Sequence, residues 1–298
     1  MTDWTNKRVL ILGAARQGQA LARWLARHGA RVTLNDLRPL DDMRATQAAL
    51  SDVDVEWVLG GHPLELLDRV DLVCPSGGVP LTLPILADAL KRGIPLSNDT
   101  QIFLEAAPCK SIGITGSAGK TTTTTLVGKM ANLAMEQKAE SRRGPRVFIG
   151  GNIGDPLINY VDEMTSDDLA ILEISSFQLD QMTISTDVAA ILNVTPNHLD
   201  RHGTMEAYTD AKARLLDFQK ENSAAILGRD DPGSWGLRGR VHGKLFGFSL
   251  SPLDEGLDGS YLDDGLLALR DGFAYTPLLL REKIQLRGNH NVSNVLAA

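Results

Sequence analysis

Cysteine is nearly missing: Cys74 and Cys109 are the only two in 298 residues, and they stand far apart. Neither a disulfide framework nor a cysteine metal site is indicated. Aromatic residues make up 5% of the chain, and the formal net charge is −7, so the basic excess of a nucleic-acid or membrane-surface binder is lacking. A local basic pocket for an anionic ligand stays compatible with that charge. No apolar run approaches the ~18–20 residues that span a bilayer, and the start Met-Thr-Asp-Trp-Thr-Asn has no signal-peptide core. A cytoplasmic protein without nucleic-acid or membrane partners is expected. What is present is ordinary for a globular chain: 43% hydrophobic and 22% charged residues, at a length that suits two domains.

In the first third, Arg8-Val-Leu-Ile-Leu12 reads as a buried strand running into the turn Gly13-Ala-Ala-Arg-Gln-Gly18. A helical period follows (Ala20, Leu21, Trp24, Leu25) and stops at Gly29. The second strand, Arg31-Val-Thr-Leu34, ends at Asn35-Asp36. This is the layout of a dinucleotide-binding βαβ unit, but Ala15 stands at the second glycine, where a Cβ would hinder a pyrophosphate. NAD or FAD, another nucleotide, and a purely structural turn all stay open. Further strands are expected at Asp71-Leu-Val-Cys-Pro75 and Ile94-Pro-Leu96, with helices over 84–92 and 101–107 and a boundary at Pro108. In an open α/β sheet, the loops 13–18, 36–38 and 76–78 at strand carboxyl ends make the ligand crevice.

The most informative stretch is Ser111-Ile-Gly-Ile-Thr-Gly-Ser-Ala-Gly-Lys120-Thr-Thr-Thr-Thr-Thr125, a strand, a glycine loop and the start of a helix. Gly116 and Gly119 let backbone N–H groups turn toward phosphate oxygens. Lys120 would reach the β/γ-phosphates and the Thr121 hydroxyl would ligate Mg²⁺. Ile114 occupies the position where the usual loop has its first glycine, leaving the compact form Gly-x-x-Gly-Lys-Thr. The competing reading is a plain glycine turn before a helix.

Beyond it, 136–145 is polar, either an exposed loop or a solvated helix end. Gly150-Gly-Asn-Ile-Gly154 indicates close backbone packing, against a ligand or a neighbouring strand. The apolar strand Leu169-Ala-Ile-Leu172 stops at Glu173, which is either a second Mg²⁺ contact or an ordinary solvent-facing strand end. The strand 187–193 leads to His198 and Asp200 on the same ligand edge; a lone histidine is commonly structural, but the nearby polar residues point to a metal or substrate role. Thr204 caps a helix carrying Lys212, which spacing alone reads as a solvated charge. Strands are expected at 223–227 and 245–248, and a hairpin over 266–280 turning on Asp271-Gly272. The chain stops two turns into a helix begun near Asn291, so a piece of a longer protein is expected.

Taken together, Thr115-Gly-Ser-Ala-Gly-Lys-Thr-Thr122, Gly150-Gly-Asn-Ile-Gly154, Leu172-Glu-Ile-Ser-Ser-Phe-Gln-Leu179, Asn193-Val-Thr-Pro-Asn-His-Leu-Asp-Arg201, Tyr208 through Lys212 and Gly288-Asn-His-Asn-Val-Ser-Asn294 resemble the Mur ligases. These are ATP-dependent amide-bond-forming enzymes of peptidoglycan synthesis. The resemblance implies an α/β chain: a Rossmann-like N-terminal domain over 1–107 that binds a UDP-linked substrate, then a P-loop ATPase-type domain over 108–298. A third domain that helps bind the amino acid is implied and is expected to be absent from these residues, so negligible ligation by 1–298 alone is expected. The resemblance implies ATP on Gly116, Ser117, Ala118, Gly119, Lys120, Thr121 and Thr122, with Asn291 and Asn294 approaching the adenine. Two Mg²⁺ sites are implied, one on Thr121 and Glu173, the other on His198 and carbamylated Lys212. Lys120, Glu173, His198 and Lys212 form the implied catalytic group. Arg16, Gln17, Asp36, Leu37, Arg38, Ser76, Gly77 and Gly78 would hold the uracil and diphosphate. Asn152, Ser175, Gln178 and His198 would face the rest of the acceptor. Implied partners are UDP-N-acetylmuramoyl-L-alanine and D-glutamate, handled by a monomer. A different amide ligase of the family and a non-catalytic P-loop module are the alternatives.

Overall fold

A computed structural model describes residues 2–138 and 144–298. The chain divides into two compact units, 1–107 with 155–164, and 108–154 with 165–298. The short segment 155–164 thus groups with the first unit, where sequence reasoning ran one continuous domain over 108–298. Its apolar residues Leu157, Ile158 and Val161 are buried, and the segment packs on two helices of that unit.

The first unit contains β1 (Arg8–Leu12), α1 (Arg16–Arg27), β2 (Arg31–Asp36), α2 (Leu40–Ala49), β3 (Val55–Leu59), β4 (Leu72–Pro75), α3 (Pro84–Lys91) and α4 (Asp99–Ala106). Its four strands form one parallel sheet in the order β3-β2-β1-β4. β1 is central, which explains its almost wholly apolar, buried run. Leu10, Leu12, Val73, Ile85 and Leu86 build the core on one side. The expected strand at 94–96 is only an isolated bridge between Val73 and Leu96, because Pro95 lacks the N–H a ladder needs. α4 begins two residues earlier than expected, capped by the Asn98 side chain, which accepts from Gln101 N.

The second unit follows with β5 (Lys110–Thr115), α5 (Lys120–Lys138), β6 (Val147–Gly151), β7 (Leu169–Glu173), α6 (Ser176–Leu179), β8 (Val188–Ile191), α7 (Leu199–His202), α8 (Met205–Asp217), β9 (Ala224–Gly228), α9 (Pro232–Gly236), β10 (Lys244–Ser249), β11 (Gly259–Asp263), β12 (Leu266–Asp271), β13 (Ala274–Leu280) and α10 (Asn289–Ala297). Of the polar stretch 136–145, the first residues belong to α5, and 139–143 lie outside the described residues.

The strand order is β13-β12-β11-β10-β9-β8-β5-β7-β6, parallel from β6 through β11 and antiparallel in the last two pairings. After β5 the chain builds outward to β6, returns through β7, then crosses to β8 on the other side. That reversal makes β5/β8 the topological switch point, where the loops after β5 and β8 part and leave a crevice. Ile114, Ile171, Ala190, Leu192 and Val292 join in the core beneath it. The hairpin turn sits one residue later than expected. Asp271 pairs with Ala274, so Gly272 and Phe273 form the loop, and Gly272 takes the positive φ (+60°) that a first loop position of this kind requires.

Candidate active site

The loop 116–119 joins the end of β5 to α5 and is held by the segment after β8. The Asn193 side chain accepts from Ala118 N (2.8 Å) and donates to Ala118 O (3.1 Å), while Asn193 O accepts from Ser117 N (3.0 Å). Ser117 Oγ donates to Thr195 O (2.9 Å) and accepts from Thr195 N (2.9 Å). Its one proton is thereby used, so in the 3.0 Å contact with Tyr208 the phenol is the donor. Asn193 and Tyr208 are anchors that sequence reasoning assigned no role. Their signal was position: a polar side chain at a strand's carboxyl end, and a phenol one turn before Lys212. Gly119 is at φ +85°, and a Cβ there would strike the Asn294 side chain, so α10 lies against the loop. Asn294 in turn donates to Asn291 Oδ1 (3.2 Å).

Lys120 folds onto the loop, donating to Gly116 O (2.8 Å). Burial lowers its pKa, and Glu173 pulls the other way. Glu173 ends β7 and is only 3% exposed, so the solvent-facing strand end is ruled out. Thr121 Oγ1 donates to Glu173 Oε2 (2.7 Å) and Asn152 Nδ2 to Oε1 (3.0 Å). Asn152, expected to face substrate, therefore orients the carboxylate. Gly151 at φ +94° lets its strand pass so close to the Glu173 backbone that no Cβ would fit.

Lys212 corrects the reading from spacing alone: on α8, which Thr204 caps, it is 1% exposed. Its ammonium meets Thr115 Oγ1 at 3.4 Å and the Tyr208 ring at 4.6 Å. Burial, and then repulsion from Lys120, pulls its pKa down to about 7. His198 sits in the left-handed region (φ +53°) ahead of α7, its ring edge-on to Phe177 at 5.2 Å. It forms no hydrogen bond with Thr121, Glu173 or Lys212. A second histidine, His202, is more enclosed: Nε2 lies 2.9 Å from Ser176 Oγ, Nδ1 3.5 Å from Asp180, and the ring stacks on Phe177. Burial first, then the positive charges of Lys212, His198 and Arg201, lower its pKa. Ser175 and Gln178 bond one another in a capping box at the start of α6, so these two expected substrate residues first serve the helix end.

The oxygens of Thr121 and Glu173 suit a hard cation. Glu173 has neutral donors and no ion pair among the described residues, leaving its charge available. No cluster of three or more His, Cys, Asp or Glu side chains arranged for a metal occurs among the described residues. Mg²⁺ tolerates that, since it commonly takes one or two protein ligands with water and substrate phosphates. The donor set therefore fits Mg²⁺.

In the first unit, the loops after β1, β2 and β4 are tied together. Ala14 N donates to the buried Asp36 carboxylate (2.8 Å), which also accepts from the Arg38 backbone and guanidinium. The Arg38 hydrogen bonds hold Asp36 well below the usual carboxylate range. Ser76 Oγ donates to Gly13 O (2.9 Å). Arg16 and Gln17, expected in the turn, already form the first residues of α1. Gly18 lets α1 pack on Gly13, where a Cβ would overlap its carbonyl. Gln17 lies near Gly77, Gly78 has open space around it, and Leu37 is largely exposed.

Residues 114–298 match the Mur ligase middle domain, and residues 7–98 match the MurD-like N-terminal domain of Mur ligases. The chain is 38% identical over 296 residues to a UDP-N-acetylmuramoylalanine–D-glutamate ligase of Acidobacterium capsulatum, covering 98% of this chain and 62% of that protein. It is 36% identical over 299 residues to the ligase of the same name from Pelotomaculum thermopropionicum, covering 100% of this chain and 63% of that one. It thus spans less than two thirds of these curated relatives. Among solved structures, a UDP-N-acetylmuramate:L-alanyl-gamma-D-glutamyl-meso-diaminopimelate ligase from Neisseria meningitides shares the fold, with a TM-score of 0.60 at 17% identity over 98% of this chain and 92% of that one. A murein peptide ligase from Psychrobacter arcticus gives 0.56 at 16% identity, over 98% and 64%. With one domain model covering well over half of its length and a second covering most of the rest, the chain belongs to the Mur ligase family.

Proposed function

We propose that this chain carries the nucleotide and acceptor sites of an ATP-dependent ligase joining D-glutamate to UDP-N-acetylmuramoyl-L-alanine. The observation that carries the reading is the Thr121–Glu173 contact beneath a glycine loop, at the switch point that also gathers Lys120 and Lys212. In this reading Gly116 to Thr122 and Lys120 hold the ATP phosphates, while Asn291 and Asn294 lie toward the adenine. The loops carrying Arg16, Gln17, Asp36 to Arg38 and Ser76 to Gly78 hold the uridine diphosphate. The acceptor carboxylate attacks the γ-phosphorus and ADP leaves; the amine then displaces phosphate from the acyl phosphate. Both reactants of the first step are anions, and Lys120 offsets their repulsion. Thr121 and Glu173 would hold one Mg²⁺, and His198 and Lys212 a second; the ions would supply further charge neutralisation. Lys212 serves there as a carbamate. With its pKa near 7 it is partly neutral at neutral pH, the form that bonds CO₂ through nitrogen and releases a proton. A cytoplasmic monomer fits the reading, and among the described residues no helix is long and apolar enough to cross a membrane.

Calorimetric titration tests it. The chain should bind both UDP-N-acetylmuramoyl-L-alanine and Mg-ATP, and Lys120→Ala should abolish only the second. Absence of UDP-ligand binding would reduce the chain to a nucleotide-binding module. In a protein extended to the relatives' length, phosphate release should depend on D-glutamate and not on L-alanine.

A further inference from the structure

Arg201 lies on α7, three residues after His198, and its guanidinium carbon stands 4.0 Å from the centroid of the Phe177 ring. That stacking holds the planar group in place without using its five N–H donors. No hydrogen bond or ion pair engages the side chain among the described residues. Nearby arginines differ: Arg214 donates to Leu179 O and Met182 O, and Arg240 pairs with Asp210 and Asp217. The acids close at hand are otherwise disposed. Asp180 faces His202, and Asp200 is exposed. A half-buried, pre-oriented fork with no acceptor among the described residues, three residues after His198, is built to receive a planar anion.

We propose that Arg201, supported by Phe177, is a specificity-determining residue that binds a substrate carboxylate in bidentate fashion. The inference rests on the ligase reading and deepens it. In that reading the ATP phosphates fall to the glycine loop and Lys120, which stand at the end of β5. Phe177 and Arg201 follow β7 and β8. The carboxylate comes either from the alanyl end of the acceptor or from the side chain of the incoming amino acid, and the chemistry of the fork is the same for both.

Calorimetry separates the two sources. One arm, on the chain, compares UDP-N-acetylmuramoyl-L-alanine with its alaninamide counterpart; the other, on a protein extended to the relatives' length, compares D-glutamate with D-glutamine in the presence of the acceptor. The wild type should prefer the acid in one pair by roughly 10- to 100-fold, the range expected for charged hydrogen bonds. R201M should bring that ratio close to one, R201K should leave it intermediate, and F177L should reduce it because the platform is gone. Thermal melting of each variant checks that it folds. An acid preference unchanged in R201M in both arms overturns the proposal, as does a wild type without any acid preference. Loss of Mg-ATP affinity with the acid preference intact would assign Arg201 to phosphate and also overturn it. Failure of the wild type to bind the UDP ligand at all would instead bring down the ligase reading, and this inference with it.

Discussion

Lys212 shows how one buried residue sets a measurable pH dependence. Its pKa of about 7 in the folded chain lies below the ~10.4 of a free lysine, so between those values the unfolded state binds more protons. Stability contributed through this group therefore rises as pH rises from about 7 toward 10. Lys212→Met removes the cost of a buried ammonium. Its melting temperature, measured from pH 6 to 9.5 in carbonate-free buffer that keeps the wild-type amine uncarbamylated, should exceed that of the wild type at pH 6, with the gap closing above pH 7. A constant gap would show that the lysine does not titrate there. Glu173 makes a related point. Its carboxylate is oriented by Thr121 and Asn152, two neutral donors that fix its direction without neutralising it.

At the scale of elements, the site depends on backbone passing where a side chain would not fit. Gly151 combines φ +94° with a close approach to the Glu173 backbone. Gly151→Ala should therefore cost about 1–3 kcal/mol in denaturant unfolding. Gly236, in helical backbone with nothing near its Cβ position, is the control, and Gly236→Ala should be close to neutral. The strand ends were legible because β5, β7 and β8 are short apolar runs that stop at polar residues. The stretch 37–70 shows no clear elements in its sequence, although it holds α2 and β3. Only Met43 of α2 is buried, and β3 is an edge strand with no fully buried residue, so neither carries a strong periodic signal.

At the scale of the whole molecule, the two compact units are not two simple stretches of chain. Leu157, Ile158 and Val161 come from sequence inside the second unit and pack in the first, and Asp162 accepts from Trp24 Nε1 (3.0 Å). Residues 1–107 expressed alone should therefore expose apolar surface on α1 and α4 and leave the indole N–H without its partner. Stronger binding of a hydrophobic dye than by the whole chain, together with a lower melting temperature for that unit, is the expected outcome. Equal stability would mean that the segment is dispensable.

The division between sequence and tertiary structure follows from the range of the forces involved. Local chemistry was enough for the glycine loop, Lys120, Thr121 and the strand-end carboxylate, since backbone freedom, charge and apolar runs are properties of adjacent residues. The ordered motifs were enough for the family. Burial is not local. That Lys212 is enclosed, that Asn152 orients Glu173, and that Asn193 and Tyr208 brace the loop depend on which strands become neighbours. The same holds for Arg201. Its place in the chain is plain, but that its guanidinium stacks on Phe177 and has no hydrogen-bond or ion-pair partner among the described residues depends on the segments after β7 and β8 meeting. Sequence alone supplied the glycine loop, Lys120, Thr121 and the strand-end carboxylate; the order of strands in the sheet decided which other groups meet them, and in what state of charge.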